Sequence, residues 1–309
     1  MAEHFPVVVV GGGQAGLAAG FYLRRAGVDF VILDAQDEPG GAWPHGWDSL
    51  RLFSPAQYSS LPGRSMPPYR AGFPTAGHVV DYLADYEKRY GLPIIRPATV
   101  TAVRRDGERL RVESTAGQWS ASAVISATGT WWRPFIPAIP GRPTFTGRQL
   151  HAAGYRRASD FAGSRVLVVG GGNSGAQIAA DLAAVTDLRW VTRRPPRYLP
   201  DHIDGRALFD LATRRKQALD RGDGDATGIG GLGDIVAVPP VRTARDHGLL
   251  TARPMFTRVE PGGVVWADGS REPADTIIWC TGFRPVLAHL APLRLRTADG
   301  RIPTVGTRA

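Results

Sequence analysis

The sequence predicts an α/β protein of two Rossmann-like, three-layer dinucleotide-binding domains, the second inserted into the first. Three observations carry this. A glycine-rich loop, Gly11-Gly12-Gly13-Gln14-Ala15-Gly16, comes after the valine run 7–10. A second of the same design, Gly170-Gly171-Gly172-Asn173-Ser174-Gly175, comes after the valine-rich run 166–169 about half a chain later. Each loop then opens a stretch whose apolar residues recur at helical spacing, the strand-loop-helix context that makes a G-x-G-x-x-G match informative.

The chemistry asks the same of both loops. Gly11 and Gly170 let the chain turn sharply out of the strand, Gly13 and Gly172 let backbone approach a diphosphate, and Gly16 and Gly175 let the helix pack close to the sheet. Gln14, Ala15, Asn173 and Ser174 open the helices, where free N–H groups face phosphate charge. The strands beyond the two helices end differently. The first helix, 17–26, stops at Gly27, and the strand Phe30-Val31-Ile32-Leu33 ends in Asp34, a carboxylate placed to accept from the hydroxyls of an unphosphorylated adenosine ribose, as in FAD or NAD. The strand 188–192 instead runs into Arg193-Arg194, whose guanidinium forks suit the 2′-phosphate of NADPH unless they are merely solvated.

Further along, Gly40-Gly41-Ala42-Trp43 is a turn that sets small residues against a ligand with an aromatic beside them. Residues 48–73 read as an irregular covering loop. Thr75 caps a helix running to Tyr90, with Val79, Val80, Leu83 and Tyr86 on its apolar face, and Gly91 ends it. Strands at 100–103, 109–114 and 118–122 form a small antiparallel insertion, and a separate buried strand is expected at 124–129. Residues 207–219 are amphipathic, and the glycine-rich run 222–233 reads as a lid or a linker. A hairpin at 255–266 closes the second domain, and 276–281 is expected to return to the first. These elements set the domain boundaries at 1–146 with 272–309 for the first and 147–271 for the second.

Composition narrows the function. A chain of 309 residues, 43% hydrophobic, can bury two cores. The net charge of +9 rests almost wholly on arginine, scattered rather than interleaved with aromatics, which suits anionic cofactors and not a nucleic acid. The single cysteine, Cys280, excludes an internal disulfide and a C-x-x-C redox pair. No apolar run reaches membrane-spanning length, and no metal-ligand pattern stands out, so a cytoplasmic enzyme acting on a small molecule is expected.

The ordered landmarks, from the Gly11 loop and the Gly40-Gly41-Ala42-Trp43 turn through Ala127-Thr128-Gly129 and the Gly170 loop to Thr281-Gly282-Phe283, resemble those of class B flavin-containing monooxygenases. The run from Phe145 through Gly147 and His151 to Tyr155 is similar to the F-x-G-x-x-x-H-x-x-x-aromatic fingerprint of that class, with Tyr155-Arg156 where its Baeyer–Villiger branch has Trp-Pro. Residues 47–55 and 170–180 are similar to the ArsO-type flavoprotein of bacterial arsenic-resistance operons. Plant indole-pyruvate monooxygenases are more distantly similar. The resemblance covers essentially the whole chain, and it implies FAD in the first domain and NADPH in the second.

It also implies a mechanism: hydride passes from NADPH to FAD, O2 is trapped as a C4a-hydroperoxyflavin, and a soft nucleophile of nitrogen, sulfur or trivalent arsenic takes the distal oxygen. The class has a further C-terminal strand ending in Gly-Asp and a helix aimed at the flavin, which this chain lacks, so weaker FAD binding is expected. Homodimers are common in such enzymes. His151 either has a catalytic role, coupling nicotinamide binding to domain orientation, or is structural. Asn173 bonds near the diphosphate or caps its helix, Trp43 stacks near the flavin or fills the core, and Asp201-His202 faces substrate or solvent. The alternatives to oxygenation are a flavin-dependent NAD(P)H oxidoreductase and a shortened flavoprotein with impaired FAD binding.

Overall fold

The computed structural model describes residues 3–201, 205–206, 210, 213–214, 217–218, 221, 235–298, 300 and 302–303. His202, most of 207–219 and the glycine-rich run 222–233 therefore lie outside the described residues. The chain divides into two compact units, one of residues 1–45, 59–133 and 284–309, the other of 46–58 and 134–283. These divisions fall a dozen residues from the boundaries read in the sequence and give 46–58 to the second unit.

In the first unit, β1 (Glu3–Val10) feeds α1 (Gln14–Arg25) and then β2 (Phe30–Leu33). α1 lies close to the sheet because Gly20 carries no side chain; a Cβ there would sit 3.0 Å from Ile32. α2 (Ala76–Arg89) begins where Thr75 Oγ1 accepts from the His78 N–H, an N-cap, and buries Val79, Tyr82, Leu83 and Tyr86. Tyr82 and Tyr86 also reach outward. Their hydroxyls donate to the carbonyls of Arg64 and Pro62, which gives the irregular segment after Ser59 fixed partners.

The sheet order is β3-β2-β1-β6-β5-β4, with β3 at Ile94–Ile95, β4 at Val100–Asp106, β5 at Arg109–Ser114 and β6 at Gly117–Ser126. Two strands expected from the sequence are one. The insertion strand and the buried strand after it are a single ten-residue β6, antiparallel to β5 over its first half and parallel to β1 over most of its length. No turn residue separates Ser122 from Val124, so the chain has no reason to break.

The second unit carries β7 (Arg148–His151), β8 (Arg165–Val169), α3 (Asn173–Leu182), β9 (Asp187–Thr192), α4 (Pro239–Asp246) and β10 (Ala252–Pro254). Next comes a three-stranded antiparallel sheet of β11 (Arg258–Glu260), β12 (Gly263–Val265) and β13 (Arg271–Pro273). The strand expected to rejoin the first domain does not. β14 (Thr276–Trp279) is fully buried and lies parallel between β7 and β8, giving the order β10-β9-β8-β14-β7. Thr-Ile-Ile-Trp is apolar on both faces, as a central parallel strand requires. Its Trp279, with Leu167, Val191 and Ile277, forms the core that these strands share. No helix among the described residues is long and apolar enough to cross a membrane.

Candidate functional site

In the first unit the glycines divide by what surrounds them. Gly11 has φ +106°, and a Cβ there would lie 2.6 Å from the Ala127 carbonyl oxygen; a Cβ on Gly16 would lie 1.8 Å from the Gly11 oxygen. Both are glycine because the protein leaves no room. Gly13 is different. Its φ of −80° suits any residue, and the nearest atom to an added Cβ is Gly41 Cα at 3.8 Å. Gly41, at φ +60°, in turn comes so close to Gly13 that its own Cβ would lie 2.9 Å from Gly13 Cα.

Gly13 is also the N-cap of α1, whose first turn has no side-chain cap and no acidic residue. The first N–H groups of a helix have no partner within it, and here Gly13, Gln14 and Ala15 line a cavity. This cavity, of about 640 Å³, runs from Gly11–Ala15 past Asp34–Gln36 and Gly40–Trp43 to Ala98–Val100 and Ser126–Trp132. That size is within the usual range for a bound organic molecule. Trp43 is half-buried on its wall rather than in the core, and its indole Nε1 donates to Gln14 Oε1 at 3.0 Å. Ala42 and Ala127 keep the wall beside it low.

Asp34 is buried at the end of β2. Its Oδ2 accepts from Arg96 Nε at 2.7 Å, while Arg96 forks onto both oxygens of Glu87 at 2.9 Å each. Neither Arg96 nor Glu87 stands out in the sequence.

The second loop repeats the first closely. Gly170 has φ +141° and would put a Cβ 2.2 Å from the Cys280 oxygen; Gly175 would put one 2.1 Å from the Gly170 oxygen. Gly172 again is the odd one: φ is −102°, it is the N-cap of α3 with no acid in the first turn, and an added Cβ meets nothing within 4 Å. The register also locates the equivalent of Asp34. The Gly11 N–H donates to Leu33 and the Gly170 N–H to Val191, so Thr192, buried and neutral, stands where the first unit has its carboxylate. Arg193 and Arg194 come one and two residues later, both exposed and, among the described residues, without an ion-pair partner. Ser174 is half-buried in the first turn of α3. Asn173 does not cap: its Oδ1 accepts from the Val236 N–H at 2.9 Å, and the cap is Gly172.

Two Thr-Gly turns complete the duplication. Thr128 Oγ1 donates to the Val286 carbonyl, and the Gly129 carbonyl accepts from Val286 N–H; Thr281 Oγ1 donates to Phe135, and the Gly282 carbonyl accepts from Phe135 N–H. The threonine hydroxyls thus pin passing chain. The free edges of Gly129 and Gly282, at φ +62° and +83°, stay open on the surface.

His151 is 8% exposed, with Nε2 donating to the Gly282 oxygen at 2.9 Å and Nδ1 accepting from the Ala153 N–H at 3.1 Å. Backbone therefore occupies both ring nitrogens, and the ring acts as a tie between β7 and the Thr281-Gly282 turn. His289, which lines the cavity, is buried against Ser126 Oγ at 3.1 Å and has no distinguishing mark in the sequence.

Burial lowers the pKa of both histidines, partly offset at His151 by the bond to Gly282. Both rings thus bind a proton more weakly folded than unfolded, where histidine titrates near about 6.5. The stability this confers is complete above the unfolded value and is lost as the pH falls through it toward the folded ones. The urea midpoint is expected to fall between about pH 7 and pH 5, and less steeply in His151→Gln and His289→Gln. An unchanged slope in both variants would contradict the neutral assignment.

The sequence model of the pyridine nucleotide-disulphide oxidoreductase family matches residues 8–202. The structure is similar to that of a flavin-containing monooxygenase from Stenotrophomonas maltophilia, with TM-score 0.89 and 48% identity, covering 98% of this chain and 86% of that one. Among curated proteins, the chain is 30% identical over 300 residues to an uncharacterized oxidoreductase, CzcO, of Bacillus subtilis (strain 168), spanning 96% of this chain and 87% of that one. It is 28% identical over 323 residues to an indole-3-pyruvate monooxygenase of Oryza sativa subsp. japonica, spanning 90% of this chain and 74% of that one.

Proposed function

The chain belongs to the pyridine nucleotide-disulphide oxidoreductase family, among its flavin monooxygenases, and on that premise we propose that it is an NADPH-dependent FAD monooxygenase transferring one atom of O2 to a soft nucleophile of a small molecule. The nucleophile is nitrogen, sulfur or trivalent arsenic, the last by likeness to the arsenic-operon flavoproteins. The observation that carries the reading is the pair Gly13 and Gly172. Protein packing does not require glycine at either position, yet both stand bare at helix N-termini without an acidic residue in the first turn. A diphosphate lying on the N–H groups is the ligand that does require it.

In the first unit, Gly11, Gly13, Gln14, Ala15 and Gly16 would hold the flavin diphosphate, Asp34 its adenosine ribose, and Gly41, Ala42 and Trp43 the flavin end, with Ala127, Thr128 and Gly129 closing the wall. In the second, Gly170, Gly172, Asn173, Ser174 and Gly175 would take the NADPH diphosphate, Arg193 and Arg194 the 2′-phosphate, and Thr281 and Gly282 the facing edge. Bound FAD supplies the two-electron chemistry, accepting hydride from NADPH and activating O2.

The protein's part is to bind, orient and keep out water. Oxygen transfer to a soft atom needs no acid–base pair, and among the described residues Asp34 and His289 are the only titratable side chains lining the cavity. A redox-active cysteine pair within this sequence is excluded. Cys280 is the chain's one cysteine, and burial pushes its thiol up to about 12.

Purified protein is expected to carry FAD whose visible absorbance is bleached by NADPH in the absence of air. The double change Arg193→Ala, Arg194→Ala is expected to weaken NADPH roughly ten- to hundredfold while leaving NADH within about twofold, because charge-assisted bonds to the 2′-phosphate are lost. An unaltered preference for NADPH would remove these arginines from the site.

A further inference from the structure

We propose that Arg96 is a positioning residue for the flavin dinucleotide: locked by Glu87, it holds the Asp34 carboxylate in the one orientation that accepts from the adenosine ribose. The inference rests on FAD occupying the cavity of the first unit. Arg96 comes directly after β3, is 12% exposed, and is not among the residues lining that cavity, so it acts through Asp34 rather than on the ligand.

The geometry fixes the guanidinium before it reaches Asp34. Two parallel bonds, Nη1 to Glu87 Oε1 and Nη2 to Oε2, both 2.9 Å, take one edge and leave Nε–H to meet Asp34 Oδ2 at 2.7 Å. A bidentate fork of this kind admits one orientation of the plane. Asp34 is gripped by its backbone too: its N–H donates to Ile95, and its carbonyl accepts from Ala98. Oδ1 is left for the ribose.

Two carboxylates share one guanidinium here, so the cluster keeps a negative charge behind the ribose site. It would repel a 2′-phosphate, which suits FAD and turns NADPH away from this unit. The contrast with the neutral Thr192 of the second unit is then a division of labour between the two loops.

Replacing Arg96 outright leaves the buried Asp34 and the half-buried Glu87 without a cation, and such a change unfolds many proteins. Glu87→Gln is the milder test. It weakens the fork and leaves Arg96 and Asp34 in place. FAD is removed from the full chain and returned by titration, with flavin fluorescence monitored, for the unaltered chain, Glu87→Gln, Asp34→Asn and the double variant; FMN, which lacks the adenosine half, is titrated in parallel.

The expected result is a Kd for FAD raised about fivefold by Glu87→Gln and by Asp34→Asn, an unchanged Kd for FMN, and a double variant no worse than Asp34→Asn alone. Effects of Glu87→Gln that add in full to those of Asp34→Asn, or that weaken FMN as much as FAD, would overturn the inference. Failure of the unaltered chain to bind FAD at all would instead overturn the reading beneath it.

Discussion

Alanine at Gly16 is expected to destabilise the protein by about 3 kcal/mol or more and to leave it without flavin. The added Cβ lands 1.8 Å from the Gly11 carbonyl oxygen, a backbone atom with nowhere to go. Gly11 is itself fixed, its N–H bonded to Leu33 and its Cβ position filled by the Ala127 carbonyl. The loop and the start of α1 must therefore part, and the residues that line the cavity there move with them. Gly175→Ala, 2.1 Å from Gly170, is expected to act alike in the second unit. Gly77→Ala is the control: it lies in the first turn of α2, an added Cβ meets nothing within 4 Å, and it should leave stability unchanged or slightly raised. Urea unfolding of the three variants decides the matter, and a Gly16→Ala protein as stable as Gly77→Ala would be incompatible with the packing described.

Alanine at Gly13 or Gly172 is expected to do the reverse, sparing the fold and removing the ligand. Each position has an ordinary φ and open space, so the structural cost is that of a poorer N-cap, about 0.5–1 kcal/mol. The methyl group would instead occupy the place where a diphosphate must touch backbone. FAD is expected to bind at least about tenfold more weakly to Gly13→Ala, and NADPH at least about tenfold more weakly to Gly172→Ala, a loss of about 1.4 kcal/mol or more in each case. The two effects should not cross over: Gly172→Ala keeps its flavin. Unfolding curves and ligand titrations on the same preparations separate fold from site, and full cofactor affinity in both variants would leave these glycines unexplained.

Much of the fold and of both loops is legible in the chain because the constraints are local. A strand, three glycines and a helix follow one another directly along the chain, and the Asp34 position is set by the length of one βαβ unit. The cap at Thr75 and the stop at Gly91 are legible for the same reason. What the sequence hides depends on partners far apart along it. Arg96, Glu87 and Asp34 come from three elements, and nothing about a lone arginine before a proline announces which acids it meets. His289 meets Ser126 across 163 residues.

The place of β14 differs from expectation because a buried apolar strand fits either sheet. The signal that places it is repetition: Cys280-Thr281-Gly282 ends β14 as Ala127-Thr128-Gly129 ends β6, each pinning passing chain through its threonine. Matching those two turns, as one matches the two glycine loops, puts β14 in the second sheet. The same matching sets Thr192, rather than Arg193, opposite Asp34.

In the proposed reaction two electrons from NADPH carry one atom of O2 onto a soft nucleophile and release the other as water. Holoprotein supplied with NADPH and 18O2, and given methyl phenyl sulfide, trimethylamine and arsenite in turn, is expected to place one 18O atom in the oxidised product of at least one of them, with one NADPH consumed per oxygen transferred. Recovery of all the NADPH electrons as hydrogen peroxide with every probe, and no label in any product, would contradict the account and leave a flavin-dependent NAD(P)H oxidoreductase in its place.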